Sequence, residues 1–475
     1  MQPAAPDPKR WRALAVCLCA GFMTLLDVSI VNVALPSIES GLGAGPSDLQ
    51  WILTGYAVAF GLVLVSAGRL GDARGRRRMF LIGLLVFTAA SALAGLAPGP
   101  GWLSAARVVQ GVGAGILNPQ VAGFIQALFS GPERGRAFGL LGASIGLSTA
   151  AGPVAGGLIL QLVGGADAWR WIFLVNLPVG AVVLVLALRL LPETDPGPRD
   201  SRLDPVGVVL LGAATVLVLL PLIESPDAEL TSRPWWLLAL GVLVLAAFFG
   251  WERWHAARGG APVVDVTLFR RRSYALGTAL AMMYFAGFTS IFLVLTLTLQ
   301  SGLGYSPLLA GLAATPFAFG GAIAAFTGGR LVARFGRALV AVGLVLSILG
   351  VMATALVVGL VPGDLVGWAI VGPQFVAGIG SGLVISPNQA LTLSEVPVAG
   401  GGSAAGVVQT GQRIGTALGI ALVGAAFFTA LAGGSDYIAA FSIALYVVAG
   451  LMVVALGVAV VDLELSRRTG VRARL

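Results

Sequence analysis

Three charged side chains lie inside long apolar segments of this sequence, where a charge is costly and therefore points to chemistry. They are Asp27 in "LDVSIVNVALP", Arg107 in "ARVVQGVGAG" and Arg413 in "VVQTGQRIGTALG". We take Asp27 as the only acidic residue within such a segment. Low-dielectric surroundings disfavour the charged carboxylate, so a carboxyl group at this place could take up and release a proton.

Arg107 is the expected partner of Asp27. If both segments are helices, a rise of about 1.5 Å per residue places the two side chains within about 6 Å of the same depth, which an arginine spans. The pair is either a permanent structural ion pair or a coupled proton site. Arg413, accompanied by Gln409, could gate, orient a substrate or brace the structure. The predicted proton-coupling residues are thus Asp27, Arg107 and Arg413.

The apolar segments themselves define the class of protein. Of the 475 residues 57% are hydrophobic and 11% charged, and the apolar runs repeatedly reach the about 20 residues that cross a bilayer. The net charge of +8 is scattered in short clusters and forms no stripe for nucleic acid. One His and two Cys provide no metal site, and no clustered catalytic residues for an intramembrane enzyme. We predict an all-α integral membrane protein.

Fourteen spans fit the sequence and put both termini on one side. Most of the 29 Lys and Arg then fall in loops on that side, as cytoplasmic loops require. This predicts a protein of the cytoplasmic membrane, the bacterial inner or plasma membrane, with both termini in the cytoplasm and the lipid bilayer as its surroundings.

An internal repeat divides the chain. The spacing G-R-L-x4-G-R occurs at 68–76 and again at 329–337, and a glycine triplet at 111–115 recurs at 378–382. Two matches in the same order indicate duplicated halves. We predict three parts, which are an N-terminal six-helix bundle (1–195), two inserted transmembrane helices (196–258) and a C-terminal six-helix bundle (259–475).

Four motifs carry a resemblance over nearly the whole chain: "GRLGDARGRRRMF" (68–80), "ARVVQGVGAG" (106–115), "AGPVAGG" (151–157) and "LDVSIVNVALP" (26–36). They resemble those of major facilitator superfamily transporters, in particular the fourteen-helix drug:proton antiporter group. The resemblance implies the major facilitator fold, with two pseudo-symmetric bundles that rock about a central cavity. It also implies that a proton gradient, with no bound cofactor, supplies the energy.

In the resembled family the loop between helices 2 and 3 stabilises the outward-facing state. Glycines allow a tight turn and close backbone approach here, and the aspartate can accept hydrogen bonds from a helix N-terminus or an arginine. The C-terminal copy has Ala333 at the position of the aspartate, so the latch is asymmetric. Arg77 could equally serve only to set the membrane topology of this loop. The predicted latch residues are Gly68, Asp72, Gly75, Arg76, Arg77 and, as an additional partner, Glu133.

The segment "AGPVAGG" resembles the helix-5 antiporter motif of exporters. Proline kinks a helix and glycines four apart leave a flat face, which fits an outer seal between the halves. Ser148 departs from the longer form of the motif. The motif residues are Gly152, Pro153, Gly156 and Gly157.

Amide, aromatic and sulfur side chains within the spans could line a cavity for amphipathic ligands, since soft apolar walls suit such compounds. The same residues could equally be packed helix faces. The candidates are Asn32, Gln110, Asn118, Met282, Tyr284, Phe285 and Gln409.

We therefore predict a secondary active transporter, not an enzyme, that acts as a monomer and exports small hydrophobic or cationic compounds in exchange for protons. The same fold could instead export a lipid or a biosynthetic product, or take up a metabolite by symport. The helix-5 motif argues against uptake.

Overall fold

The computed structural model describes residues 9–193, 204–223, 234–260 and 262–468, and most of these residues are helical. Thirteen helices of the described chain are long and apolar enough to cross a membrane, and a shorter apolar helix begins at Pro205. The fourteen helices are α1 (Arg10–Leu42), α2 (Pro46–Arg74), α3 (Arg76–Gly95), α4 (Pro100–Leu128), α5 (Gly131–Val163), α6 (Arg170–Leu190), α7 (Pro205–Ile223), α8 (Trp235–Ala257), α9 (Arg272–Leu297), α10 (Pro307–Phe335), α11 (Arg337–Val358), α12 (Val371–Thr392), α13 (Gly401–Ala432) and α14 (Tyr437–Arg468).

Local sequence explains several helix ends. Pro100 opens α4, where the missing N–H would have no partner within the helix anyway. Gly43 ends α1 with a φ of 62°, a left-handed conformation that glycine adopts without strain. Helix α6 consists of Arg170–Leu174 and Asn176–Leu190, separated at Val175. This break places Asn176 at the start of a new helical segment inside the protein.

The repeated glycines do the same work in both halves. A side chain at Gly111 of α4 would clash with the backbone of Tyr56 in α2, and one at Gly378 of α12 with the backbone of Phe317 in α10. Such positions let two helices pack backbone to backbone. The duplicated bundles predicted from the repeat share this packing, and the predicted fold class is confirmed.

The two bundles meet along two seams, one between α2 and α13 and the other between α5 and α10. The inserted helices α7 and α8 form a hairpin whose α7 packs against both α2 and α13. We call the end of the protein where α1 begins and α14 ends the terminal face. Both seams include close backbone contacts at this face, between Gly68 and Gly402 and between Gly135 and Gly329.

The expectation that Asp27 is the only acidic residue within a span is wrong. Glu252 lies within α8 and Asp462 within α14, and both are buried. Asp72 lies in the last turns of α2. All three residues lie near helix ends. At such positions the average apolarity of the sequence does not show whether a carboxylate is buried or lies in water.

Candidate proton-coupling site and latch

Asp27 lies on α1 with 1% of its surface exposed, and side chains from two other helices hold both of its oxygens. Arg107 Nη1 of α4 is 2.5 Å from Oδ2. Gln110 Nε2 of α4 and Asn176 Nδ2 of α6 each donate to Oδ1 at 2.9 Å. The carboxylate is therefore paired and fully hydrogen-bonded, which is the condition under which a charge is tolerated away from water.

Arg107 is itself fixed from several sides. Its Nε donates to the carbonyl of Ile52 at 3.1 Å, and its Nη1 also reaches Gln110 Oε1 at 2.7 Å. The guanidinium carbon lies 4.2 Å from the centre of the Tyr56 ring, a cation–π distance. Asp27 and Arg107, which the sequence predicts at similar depth, are thus paired, and the structure adds the residues that orient them.

Two members of this network were missed in the sequence. They are Asn176, and Ser91 of α3, whose Oγ accepts from Gln110 Nε2 at 2.7 Å. Asn176 had a usable signal, since it is an amide two residues before Pro178 within the apolar run "WIFLVNLPVG". Ser91 had none, because serines are common in membrane helices. Gln110, predicted to line a cavity, is fully buried, and both of its amide atoms are bonded in the ionic network.

Arg413 lies across the seam between the halves. From α13 its guanidinium carbon is 4.4 Å from the centre of the Phe60 ring of α2, and the Phe60 and Tyr56 rings are stacked at 6.0 Å. Since Tyr56 also lies beneath Arg107, aromatic rings connect the two arginines. Of the carboxylates that the structure describes, none forms an ion pair with Arg413.

The aspartate of the predicted latch joins the halves. Asp72 Oδ1 accepts from the backbone N–H of Gly402 at 3.1 Å and Oδ2 from that of Ser403 at 2.9 Å. These two N–H groups belong to the first turn of α13, where a helix has unsatisfied donors and a partial positive charge. The nearby approach of Gly68 to Gly402 leaves no room for a side chain.

Arg76 completes this contact. Its Nη2 is 3.0 Å from Asp72 Oδ1 and also donates to the carbonyl of Val398, while Nη1 donates to the carbonyl of Gly123 at 3.0 Å. Gly75 makes the tight turn with a φ of 97°, which only glycine adopts readily. The terminal face is thus held closed between α2 and α13.

Two predicted latch residues have other partners. Glu133, in the first turn of α5, forms an ion pair with Arg10 at 2.9 Å instead of with the 68–80 loop. Arg77 pairs with Glu193 at 2.8 Å and donates to the carbonyl of Leu188. Both contacts stay within the N-terminal half, because these side chains lie away from the α2–α13 seam.

The helix-5 motif packs α5 on two neighbours. Side chains at Gly152 and Gly156 would collide with Ser29 and Ile30 of α1, respectively, while Pro153 contacts Gly311 of α10 in the other half. Gly157 has open space where a side chain would lie. The motif therefore touches both bundles, as the predicted seal requires.

The predicted substrate residues are dispersed. Asn118 bonds to Thr24 at 3.1 Å, Asn32 is exposed, Met282 packs against the backbone of α13, and Gln409 is half-buried in α13. Tyr284 and Phe285 belong to an aromatic cluster in α9. A pocket opens beside that cluster, between α5, α9, α10 and α12. Its lining includes Thr149, Phe288, Phe292, Phe317 and Ser381, and none of the predicted residues.

Two helical bundles that meet at the α2–α13 and α5–α10 seams, with the buried Asp72–Arg76 pair at the first seam, have the architecture of a membrane transporter and not of an enzyme. A sequence profile of the Major Facilitator Superfamily matches residues 17–419 and 275–473. The chain belongs to this superfamily.

Relatives and solved structures agree with this assignment. The chain is 39% identical to a probable actinorhodin transporter of Streptomyces coelicolor, covering 90% of this chain and 74% of the relative. It is 37% identical to the puromycin resistance protein pur8 of Streptomyces alboniger, covering 88% and 82%. The human organic anion transporter MFSD10 shares the fold, with a TM-score of 0.67 at 16% identity over 95% of this chain and 100% of that one.

Proposed function

We propose that this protein is a proton-coupled efflux antiporter that works by alternating access. The arrangement of Asp27, Arg107, Gln110 and Asn176 carries the proposal. A proton on Asp27 removes the negative charge that Arg107 faces and weakens Oδ1 as the acceptor that Gln110 and Asn176 share. Protonation therefore changes the free energy of the α1–α4–α6 packing, which is what coupling to a bundle movement needs.

The driving force is sufficient for useful export. Each charge that crosses the membrane field contributes about 2.3 kcal/mol per 100 mV, equivalent to about 50-fold in a concentration ratio. We place the terminal face in the cytoplasm, because most Lys and Arg lie in its loops. The Asp72 latch then closes the cytoplasmic side, and its release opens the path by which a substrate enters from the cell.

Relatives named for puromycin resistance and for multidrug resistance support small hydrophobic compounds as the substrate class. Phenylalanine rings and a few hydroxyl groups line the narrow gap between α5, α9, α10 and α12, which must widen to admit such a compound. Relatives named for transport of actinorhodin and for export of cephamycin favour a second candidate, in which the protein exports one biosynthetic product. A panel of dyes and antibiotics distinguishes the two, because a dedicated exporter transports few of them.

The coupling test uses Asp27→Asn, which removes the proton site at nearly constant volume. In inverted vesicles we expect the wild type to accumulate ethidium against its gradient when the lumen is acidic, and the variant to lose this uphill transport while keeping downhill flux. Asp167→Asn is the control, since Asp167 is exposed and pairs with the nearby Arg170.

Undiminished uphill transport by Asp27→Asn rejects the coupling site. Wild-type accumulation in right-side-out vesicles instead of inverted ones rejects export in favour of symport.

A further inference from the structure

A second pair of buried acids lies where the inserted hairpin reaches the terminal face. Asp204 directly precedes α7, and Glu252 lies in the last two turns of α8, with 3% and 0% of their surfaces exposed. A Cβ atom built at Gly207 would lie 2.5 Å from Glu252 Oε1 and 2.6 Å from Asp204 Oδ2. The two carboxyl oxygens are therefore within about 5 Å of each other, close enough for strong repulsion between two buried charges.

The hydrogen bonds around the pair are unequal. Asp204 Oδ1 accepts from the N–H groups of Val206 and Gly207 in the first turn of α7, and Oδ2 accepts from Trp251 Nε1 at 2.5 Å. Glu252 Oε2 accepts from the N–H of Val264 at 3.2 Å. Glu252 Oε1 is buried and has no hydrogen-bond partner among the described residues. Neither acid forms an ion pair in the part of the chain that is described.

We propose that Asp204 and Glu252 form a second proton-binding site, which holds one proton, mainly on Glu252. The proton removes one of two like charges and converts the orphaned Oε1 into a hydroxyl donor beside Asp204. The hydrogen bonds favour Glu252 as the proton's place, because three donors, two at the α7 N-terminus and Trp251 Nε1, point at Asp204 and one points at Glu252.

The surroundings give this proton a structural consequence. The charged and titratable groups facing the pair in the described chain are Arg69 of α2 and, across the Trp251 ring, His255 of α8. With one proton bound, the pair keeps a single negative charge, which attracts the nearby Arg69. Arg69 adjoins Gly68, which packs on Gly402 at the α2–α13 seam. The proton therefore affects the packing of the α7–α8 hairpin against α2, the helix that carries Asp72.

Infrared spectroscopy tests the site directly, independently of transport. In the purified full-length protein with the Asp27→Asn background, we expect a carbonyl-stretch band of a protonated carboxyl group that disappears on alkaline titration. Glu252→Gln removes this band, whereas Glu464→Gln, which changes an exposed acid of α14, leaves it. Absence of the band from the background protein, or its persistence in Glu252→Gln, overturns the proposal.

Trp251→Phe provides a second variant that keeps both carboxyl groups. It removes the strongest donor to Asp204, so the negative charge of the pair is less stable and the band should persist to higher pH, by one pH unit or about 10-fold in proton affinity. An unchanged titration contradicts the assignment even if Glu252→Gln does not fold. If Asp27→Asn loses uphill transport and keeps this band, the Asp204–Glu252 site is distinct from the coupling site at Asp27.

Discussion

The two copies of the G-R-L-x4-G-R repeat solve the same problem of helix packing and differ in what their charges do. In the first copy, Gly68 of α2 meets the backbone of Gly402 in α13, and in the second, Gly329 of α10 meets the backbone of Gly135 in α5. Both contacts join the halves at the terminal face. The close approach is therefore symmetric, although the charges next to it are not.

The charges of the first copy cross the seam, since Asp72 and Arg76 both bond to the backbone of the other half. In the second copy, Arg337 stays within its own bundle. Its Nε lies 2.6 Å from Asp462 Oδ2 of α14, and its Nη2 donates to the carbonyl of Ser273 in α9 at 2.9 Å. One duplicated arginine thus serves a contact between the halves and the other stabilises a single bundle.

Under the alternating access proposed above, this difference predicts that one copy serves switching and the other stability. A contact that must open and close during transport has to be made of bonds between the halves. A buried ion pair within one bundle persists in every state, so it does not bias the equilibrium between them. The following variants test this distinction.

Asp72→Asn has the largest expected effect on transport. It removes the negative charge of the group that accepts hydrogen bonds from the N–H groups of Gly402 and Ser403. Hydrogen bonds to a charged group contribute about 1.5–3 kcal/mol each. We expect the transport rate to fall about 10-fold or more, and amide hydrogen exchange at residues 398–403 to accelerate. Exchange that stays at the wild-type rate would show that Asp72 does not hold α13.

Asp462→Asn tests the second copy and should lower the stability of the protein more than its transport rate. It leaves Arg337 buried without its carboxylate, and breaking such a pair costs about 3–5 kcal/mol. We expect a lower midpoint of thermal unfolding, while hydrogen exchange at residues 398–403 remains as in the wild type. Accelerated exchange in that segment would mean that the second copy also controls the seam.

Gly68→Ala and Gly329→Ala test the symmetric part of the comparison. In each, the new methyl group would overlap a backbone carbonyl of the other half, at Gly402 or Gly135. Overpacking typically costs about 1–3 kcal/mol, so both variants should reduce transport by similar factors, about 10-fold. Gly450→Ala in α14 is the control, because nothing lies within 4 Å of the position of its added methyl group. A large loss in only one of the two variants would contradict equivalent packing.

Ala333→Asp has the smallest expected effect. It restores the carboxylate that the second copy lacks, but Ala333 is exposed and Arg337 is already paired. An exposed pair contributes about 0–1 kcal/mol, so transport should remain within about 2-fold of the wild type. A strong gain or loss would show that position 333 faces the seam after all.

The contacts that could be predicted from the sequence are those that depend on depth in the membrane or on residue size. The Asp27–Arg107 pair followed from two spans and a rise per residue, and the close backbone approach at Gly68 followed from the small size of glycine. Sequence reasoning failed where partners come from segments far along the chain. Asn176 reaches Asp27 from α6, Asp462 reaches Arg337 from α14, and Glu133 contacts Arg10 rather than the loop it was assigned to.

The sequence by itself determined that this protein is a helical membrane protein with two related halves, because the length and apolarity of a span and the recurrence of a motif are properties of the chain. The tertiary structure alone decided which charges face one another. Helices of similar depth can be rotated and placed in many ways, and only their packing selects the few atoms that come within hydrogen-bond distance. For that reason two copies of one motif, with the same G-R-L-x4-G-R spacing, bind the other half in one case and stay within their own bundle in the other.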